Sequence, residues 1–439
     1  MKVSSSRFDG LLMFVIGSIF FLGIGAGLER FQPLAMSDFM ETYSGARCLL
    51  QHQDPYQPDQ LWAVYQQQPH IVPSSPILAH ELQLIVSICT NLPTTLALIA
   101  LFAALPWSAA QTIWTALIAA SFLVGALLIW FTGGSAMSRF NGLVLWLLLT
   151  GSGLLLSAGN PAGLVVGLAV IAACCFLRDR FVVVGILCLA VALLVKPHDA
   201  GPVWLYFLLA GGLPRKRALQ TFAVTALLAA IAILWVSHIA PHWPQELHSN
   251  LSASMAPGGR DYPGPQTAGG RGVGMVISLQ ALFSLIHDNP HFYNPLVYAI
   301  GGVLLLIWAV KTLRSRFTPQ LAWFALAAIA PMAILPLYHR TYDASILLLT
   351  IPACGVLWTR RGPLAWCALL LNLSAIVLTG DLLDIVFFQL THYAPWAVTL
   401  GVIPGPVILL ALAVFYLVVY LHEAAASANV NAPLSGASP

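Results

Sequence analysis

GLLMFVIGSIFFLGIGAGL, residues 10–28, carries no charge and, at a 1.5 Å rise per residue, is long enough to cross most of the roughly 30 Å hydrocarbon core of a bilayer as one helix. The apolar core of a secretory leader stops at roughly 7–15 residues. This run therefore reads as a retained first span, its N-terminus kept inside by Lys2 and Arg7. Comparable runs follow at 92–106, 113–131, 142–158, 162–176, 182–195, 201–212, 222–239, 295–310, 321–335, 344–357, 364–378 and 396–421. Of the 439 residues, 59% are hydrophobic and 8% charged, which excludes a soluble enzyme on one anchor. Lipid offers an open backbone no partner, so such runs must be helices. The chain is predicted to be all-α, a polytopic membrane protein with a single integral domain over 1–423 and a disordered cytoplasmic tail over 424–439.

Charge sets the orientation. Lys and Arg gather at Arg139, at Arg178 and Arg180, at Arg215, Lys216 and Arg217, at Lys311, Arg314 and Arg316, and at Arg360 and Arg361. The positive-inside rule makes these loops cytoplasmic. With Lys2 and Arg7, 13 of the 19 basic residues lie inside, and of the 16 acids only Asp9, Asp179 and Glu423 join them. The net charge of +3 is thus a small sum over two oppositely charged faces, and carries no nucleic-acid signal. If every run crossed, parity would fail between 92 and 178. The short run 92–106, which breaks at Pro93, is read as re-entrant or half-spanning, leaving about 12 crossings and both termini in the cytoplasm; a fused span near Gly159-Asn160-Pro161 is the rival.

Polar mass lies on the outer side. The first outer loop, 29–81, holds a surface helix near 38–51, an Asp54-Pro55-Tyr56 turn and aromatic residues suited to amphipathic segments at the interface. The second, 238–291, is rich in Pro and Gly and includes Gly269-Gly270-Arg271-Gly272. Seven cysteines show no metal-ligand spacing, and no nucleotide or cofactor motif is present, so neither a cofactor nor a metal is assigned, and a metal requirement is left open.

Scarce carboxylates in so apolar a chain stand out, Asp38 above all, in Ser37-Asp38-Phe39-Met40-Glu41-Thr42-Tyr43 just beyond the first span. A first helix followed by Asp38-Phe39 with Tyr43, Ala46 and Asp54-Pro55-Tyr56 resembles the opening of the DUF2029 family, glycosyltransferase family 87 of the GT-C class. Leu105-Pro106 ahead of Trp114, Gly159-Asn160 opening a span and Lys196-Pro197 ending one extend the resemblance from about residue 22 to 352. Where this chain has Asn160, the family more often has Gln. The resemblance implies a GT-C-like fold and transfer of a hexose, mannose first, from a polyprenyl-phosphate sugar. The acceptor is a lipid- or glycan-linked hydroxyl at the outer face of the inner (cytoplasmic) membrane.

Such chemistry needs a carboxylate to take the acceptor's proton and cations for a phosphate whose charge grows as the sugar leaves. Asp38 is the candidate base, with inversion at the anomeric carbon; the competing reading is an N-cap. Lys196, His339 and Arg340 are the candidate phosphate ligands, against a snorkelling lysine paired with Asp199 and a surface Arg–Asp pair with Asp343. Tyr43, Asn160 and Arg271 are weaker substrate-binding candidates: Asn160 reads equally as a buried helix contact, and Arg260 and Arg271 as a lid or as loop charges. Two other classes remain, a lipid-linked glycan flippase or polymerase, and a secondary transporter with broken helices in corresponding halves.

Overall fold

The computed structural model describes residues 5–31, 34–67, 76–264, 276–386 except 384, and 401–430. Its regular secondary structure over these residues is helical apart from one antiparallel bridge, Val276 to Arg340. Seven helices are long and apolar enough to cross a membrane, and five shorter apolar helices of 10–17 residues accompany them.

In chain order the helices are α1 (Ser5–Phe31), α2 (Ser37–Leu50), α3 (Pro58–Gln66), α4 (Pro76–Val86), α5 (Pro93–Ala103), α6 (Trp107–Gly133) and α7 (Arg139–Thr150). Then come α8 (Leu154–Ser157), α9 (Ala162–Arg178), α10 (Val182–Val195), α11 (Pro197–Leu209), α12 (Gly212–Ile239), α13 (Trp243–Ser254) and α14 (Leu279–Ser284). The chain closes with α15 (Pro290–Arg314), α16 (Pro319–Ile334), a 3-10 helix (Thr341–Thr350), α17 (Ile351–Arg360), α18 (Pro363–Thr379) and α19 (Pro404–Val430).

The bundle has a buried centre and lipid-compatible flanks. All but three residues of α9 and of α16 are buried, whereas α12 and α15 expose Phe222, Leu227, Leu234, Val303 and Leu306, as helices facing hydrocarbon can. Small residues set the closest approaches. A Cβ on Gly167 would come within 2.4 Å of the Ser121 backbone, and one on Gly142 within 2.5 Å of Gly10 Cα, so α9 meets α6 and α7 meets α1 nearly backbone to backbone. Polar groups in the core are matched: Asn372 on α18 donates to the Tyr416 hydroxyl at 2.7 Å and contacts Thr350, tying the 3-10 helix to α18 and α19.

Three expectations change. The helix predicted for the surface, α2, is buried along ten of its fourteen residues, because α5 packs across it and Trp107 and Trp114 cover Phe39. The span predicted at 344–357 is wound as a 3-10 helix in its first half; it becomes α-helical only at Ile351, one residue ahead of Pro352. Helix α19 continues to Val430, seven residues into the predicted disordered tail, of which 431–439 lie outside the described residues.

Connectivity separates the charges. The N-terminal end of α9, the α10–α11 junction and the segment after α16 gather at one end of the bundle, as the ion pairs described below require. Arg178, Arg180, Arg215, Lys216, Arg217, Lys311 and Arg314 sit at the opposite ends of these helices or of their direct continuations. There Arg217 binds the Phe176 carbonyl and Asp179, clamping α12 to the end of α9.

Candidate functional site

Asp38 is presented by an unusual helix start. Met36 adopts a left-handed conformation (φ 60°), and the amides of Met36 and Asp38 donate to the carbonyls of Ser157 and Ala158. The neighbouring turn therefore takes the α2 amides, and no side chain caps the helix. That turn explains Gly159-Asn160-Pro161. Gly159 has φ 65°, and a Cβ there would lie 2.8 Å from the Phe39 Cβ, while its carbonyl accepts from Trp114 Nε1 at 2.8 Å. Asn160 uses both ends of its amide: Oδ1 accepts the Ala162 amide at 2.9 Å at the start of α9, and Nδ2 donates to Asp38 Oδ2 at 2.7 Å.

Asp38's other oxygen faces Arg260, at 2.9 Å from Nη2. Through Nη1 the same guanidinium reaches Glu41 Oε2 at 2.8 Å, since positions three apart share a helix face. Glu41 is 2% exposed; burial pushes its carboxyl upward, against Arg260 and the Thr90 amide. The Arg260 carbonyl accepts from Arg340 Nη2 at 2.9 Å, and Asp261 lies 3.5 Å from that guanidinium. Burial would raise Asp261, yet Arg260 and Arg340 hold it below the usual carboxylate range.

Arg340 joins this half to a second. Its backbone amide donates to Asp343 Oδ2 at 2.9 Å, and Asp343's other oxygen binds Lys196. Lys196 also lies 3.0 Å from Asp199, whose Oδ1 is 3.4 Å from His339 Nε2 and 3.8 Å from His198 Nε2. Burial disfavours the charged His339 ring, but Asp199 and Asp343 outweigh it, so its pKa is raised. The loop bearing His339 is pinned, Ile277 and Leu279 donating to the carbonyls of His339 and Leu335. At the α10–α11 break, the Thr94 and Thr95 hydroxyls take the otherwise orphaned Leu194 and Val195 carbonyls.

One continuous polar network thus contains Asp38, Asn160, Lys196, His339 and Arg340. Two candidates stand elsewhere. Tyr43 is fully buried and donates to the Leu105 carbonyl at 2.7 Å, so its hydroxyl is committed to packing between α2 and the α5–α6 turn; Arg271 lies outside the described residues. Lys196 is paired not only with Asp199 but also with Asp343, a partner that was read as pairing with Arg340. Arg260, read as a lid or a loop charge, and Asp199, read as the partner of Lys196, both belong to the network; Glu41, Asp261 and His198 join them without having been proposed as site residues. Of these three, only Glu41 carried a signal in the sequence, its position one helical turn after Asp38.

Beside α2 a cavity of about 620 Å³ opens between the end of α1 and the start of α6. Gly23, Gly27, Met36, Met40 and Trp107 line it, with Arg30 at its polar margin. No family model, curated protein or solved structure matches this chain.

Proposed function

We propose that the chain is a GT-C-like membrane glycosyltransferase. It moves a hexose, mannose first, from a polyprenyl-phosphate sugar to a lipid- or glycan-linked hydroxyl at the outer face of the cytoplasmic membrane. The observation that carries this reading is the Arg260 fork across Asp38 and Glu41, with Arg340 bound to the same loop: two carboxylates and two guanidiniums at one largely enclosed point. In the substrate-free state Asp38 is occupied. An arriving donor phosphate draws the Arg260 guanidinium away, since a phosphate offers it the same bidentate geometry with more charge. Asp38 Oδ1 then accepts the proton of the acceptor hydroxyl as that oxygen attacks the anomeric carbon. The sugar–phosphate bond breaks with its electrons on the phosphate, which Arg260 and Arg340 stabilise. Asn160 keeps the Asp38 ring of contacts in register from the other oxygen.

The crevice beside Met36 and Met40 suits an isoprenoid chain reaching this point from the bilayer. The eleven residues of α5 supply about half a bilayer's thickness, which fits a half-span, about 12 crossings and both termini inside. The test is incubation of the purified protein with a panel of polyprenyl-phosphate sugars and assay of released polyprenyl phosphate. Turnover of at least one donor is expected; donors left intact throughout would overturn the reading. A secondary transporter is the second reading, favoured by the helix breaks at Gly151–Pro161 and Lys196-Pro197 beside buried ion pairs. It leaves every donor intact.

A further inference from the structure

The network holds more negative than positive charge. Over the described residues, Lys196, Arg260 and Arg340 face Asp38, Glu41, Asp199, Asp261 and Asp343, a formal −2 with neutral histidines, or −1 with a proton on Glu41. That balance is wrong for a site receiving a phosphate and wants a further cation, because buried charge without compensation is costly.

One cluster in the network offers ligand atoms for such a cation. His198, Asp199 and His339 each offer a ligand atom, all within 4.8 Å of one another. Both imidazole Nε2 atoms converge on one oxygen, Asp199 Oδ1, at 3.4 and 3.8 Å. Donor atoms on one tetrahedral zinc ion, with bonds of about 2.0–2.1 Å, stand about 3.3 Å apart, so a shift of under about 1 Å closes the set. His339 is 1% exposed, and its Nδ1 lies 3.2 Å from the Leu337 carbonyl. A carbonyl can only accept, so Nδ1 bears a hydrogen, and Nε2 is the nitrogen left to face the carboxylate. At 3.4 Å that nitrogen and the carboxylate oxygen need a metal ion or a proton between them. The same carbonyl contact is the usual orienting bond of a metal-binding histidine. His198, on the exposed side, leaves a path for entry.

We propose that His198, Asp199 and His339 bind one divalent transition-metal ion, zinc for preference, with an open position toward the network interior. Two imidazoles and one carboxylate favour such an ion over magnesium or calcium, which take oxygen ligands. The open position is suited to a donor phosphate oxygen; that role rests on the transferase reading, whereas metal binding does not. The rival occupant is a proton on His339.

The test uses the full-length protein in detergent, without a polyhistidine tag, stripped with EDTA and titrated with Zn²⁺ and separately with Mg²⁺ by calorimetry. One equivalent of Zn²⁺ with a micromolar or tighter Kd is expected, with no comparable Mg²⁺ binding. His198→Ala, at the exposed ligand, should weaken Zn²⁺ at least tenfold, comparable to the loss that even an outer-shell partner causes. Co²⁺ bound to the unaltered protein should show visible ligand-field bands that zinc displaces. Absence of saturable one-to-one Zn²⁺ binding, or affinity unchanged in both His198→Ala and Asp199→Asn, overturns the proposal and leaves the proton as occupant. Because binding is read without substrate, a metal-bound protein inert toward every donor upholds this site and removes the transferase reading alone.

Discussion

Arg260 is the residue on which the geometry turns, since its single guanidinium bridges the half-buried Asp38 and the buried Glu41. Asp38→Asn is expected to abolish transfer while leaving donor affinity nearly unchanged, as it removes a proton acceptor and keeps the side chain's size; wild-type turnover would remove Asp38 as base. Arg260→Ala should weaken donor binding by about 1.5–3 kcal/mol and lower turnover with it, the size of a lost charge-assisted contact, measured as donor Kd and kcat on one preparation. Lys196→Ala should act first on stability. It strands Asp199 and Asp343, so a loss of about 3–5 kcal/mol is expected in denaturant titrations, whereas Lys196→Ala/Asp343→Asn should recover part of it. Asp38, Asn160, Lys196, His339 and Arg340 were legible because a polar residue beside an apolar run demands a partner. Arg260 was legible only as a lid or a loop charge, not as the partner of Asp38, since a Gly/Pro-rich loop has no periodicity to say which way a side chain turns.

Among the elements, the apolar runs translated closely into helices because in lipid only a helix closes its own hydrogen bonds. What did not translate was burial. Helix α2 carries a polar sequence pattern that reads as a wetted surface, yet its polar groups face other protein: Glu41 meets Thr90 and Asn91 rather than water. Contact between distant segments has no local signature. The α6–α9 crossing gives a measurable consequence: Gly167→Val drives a side chain into the Ser121 backbone and should cost about 1–3 kcal/mol, seen as a lowered Tm in detergent, while Gly23→Ala, facing open space, should not. The turn before α3 responds to pH. Burial, with Glu246 adding to it, lifts the Asp54 carboxyl from its ordinary 3.8 to about 6. A raised acid binds its proton more tightly when folded, so the stabilisation is complete below pH about 4 and lost as pH rises through about 6. Amide protection factors in residues 54–60, corrected for the intrinsic pH dependence of exchange, should therefore be higher at pH 5 than at pH 7.5; equal protection factors would remove Asp54 from the turn's stability.

For the whole molecule, the alternation of basic loops with acid-bearing ends was readable from composition, and the structure sets the ion network and those loops at opposite ends of α9, α10 and α11. Which end faces out is open to labelling. With Cys367 replaced by Ser, Lys216→Cys should react with a membrane-impermeant maleimide only in inverted vesicles, and Asp59→Cys only in right-side-out ones; the reverse pattern would invert the proposed topology.

Order of synthesis gives the ion network a further meaning. Asp38 and its partner Arg260 are 222 residues apart, so at roughly 5–20 residues per second the carboxylate waits on the order of 10–40 seconds before its counter-ion exists. Lys196 and Asp199 are born together as a pair three residues apart, but Asp343 follows Lys196 by 147 residues. During insertion, then, the future interior at this end must stay wet, and it can dry only when residues 338–343 arrive to dock on the α10–α11 break. A nascent chain arrested before that point should expose Asp38 to solvent and remain sensitive to proteases, with release of the last quarter acting as the step that seals the cluster.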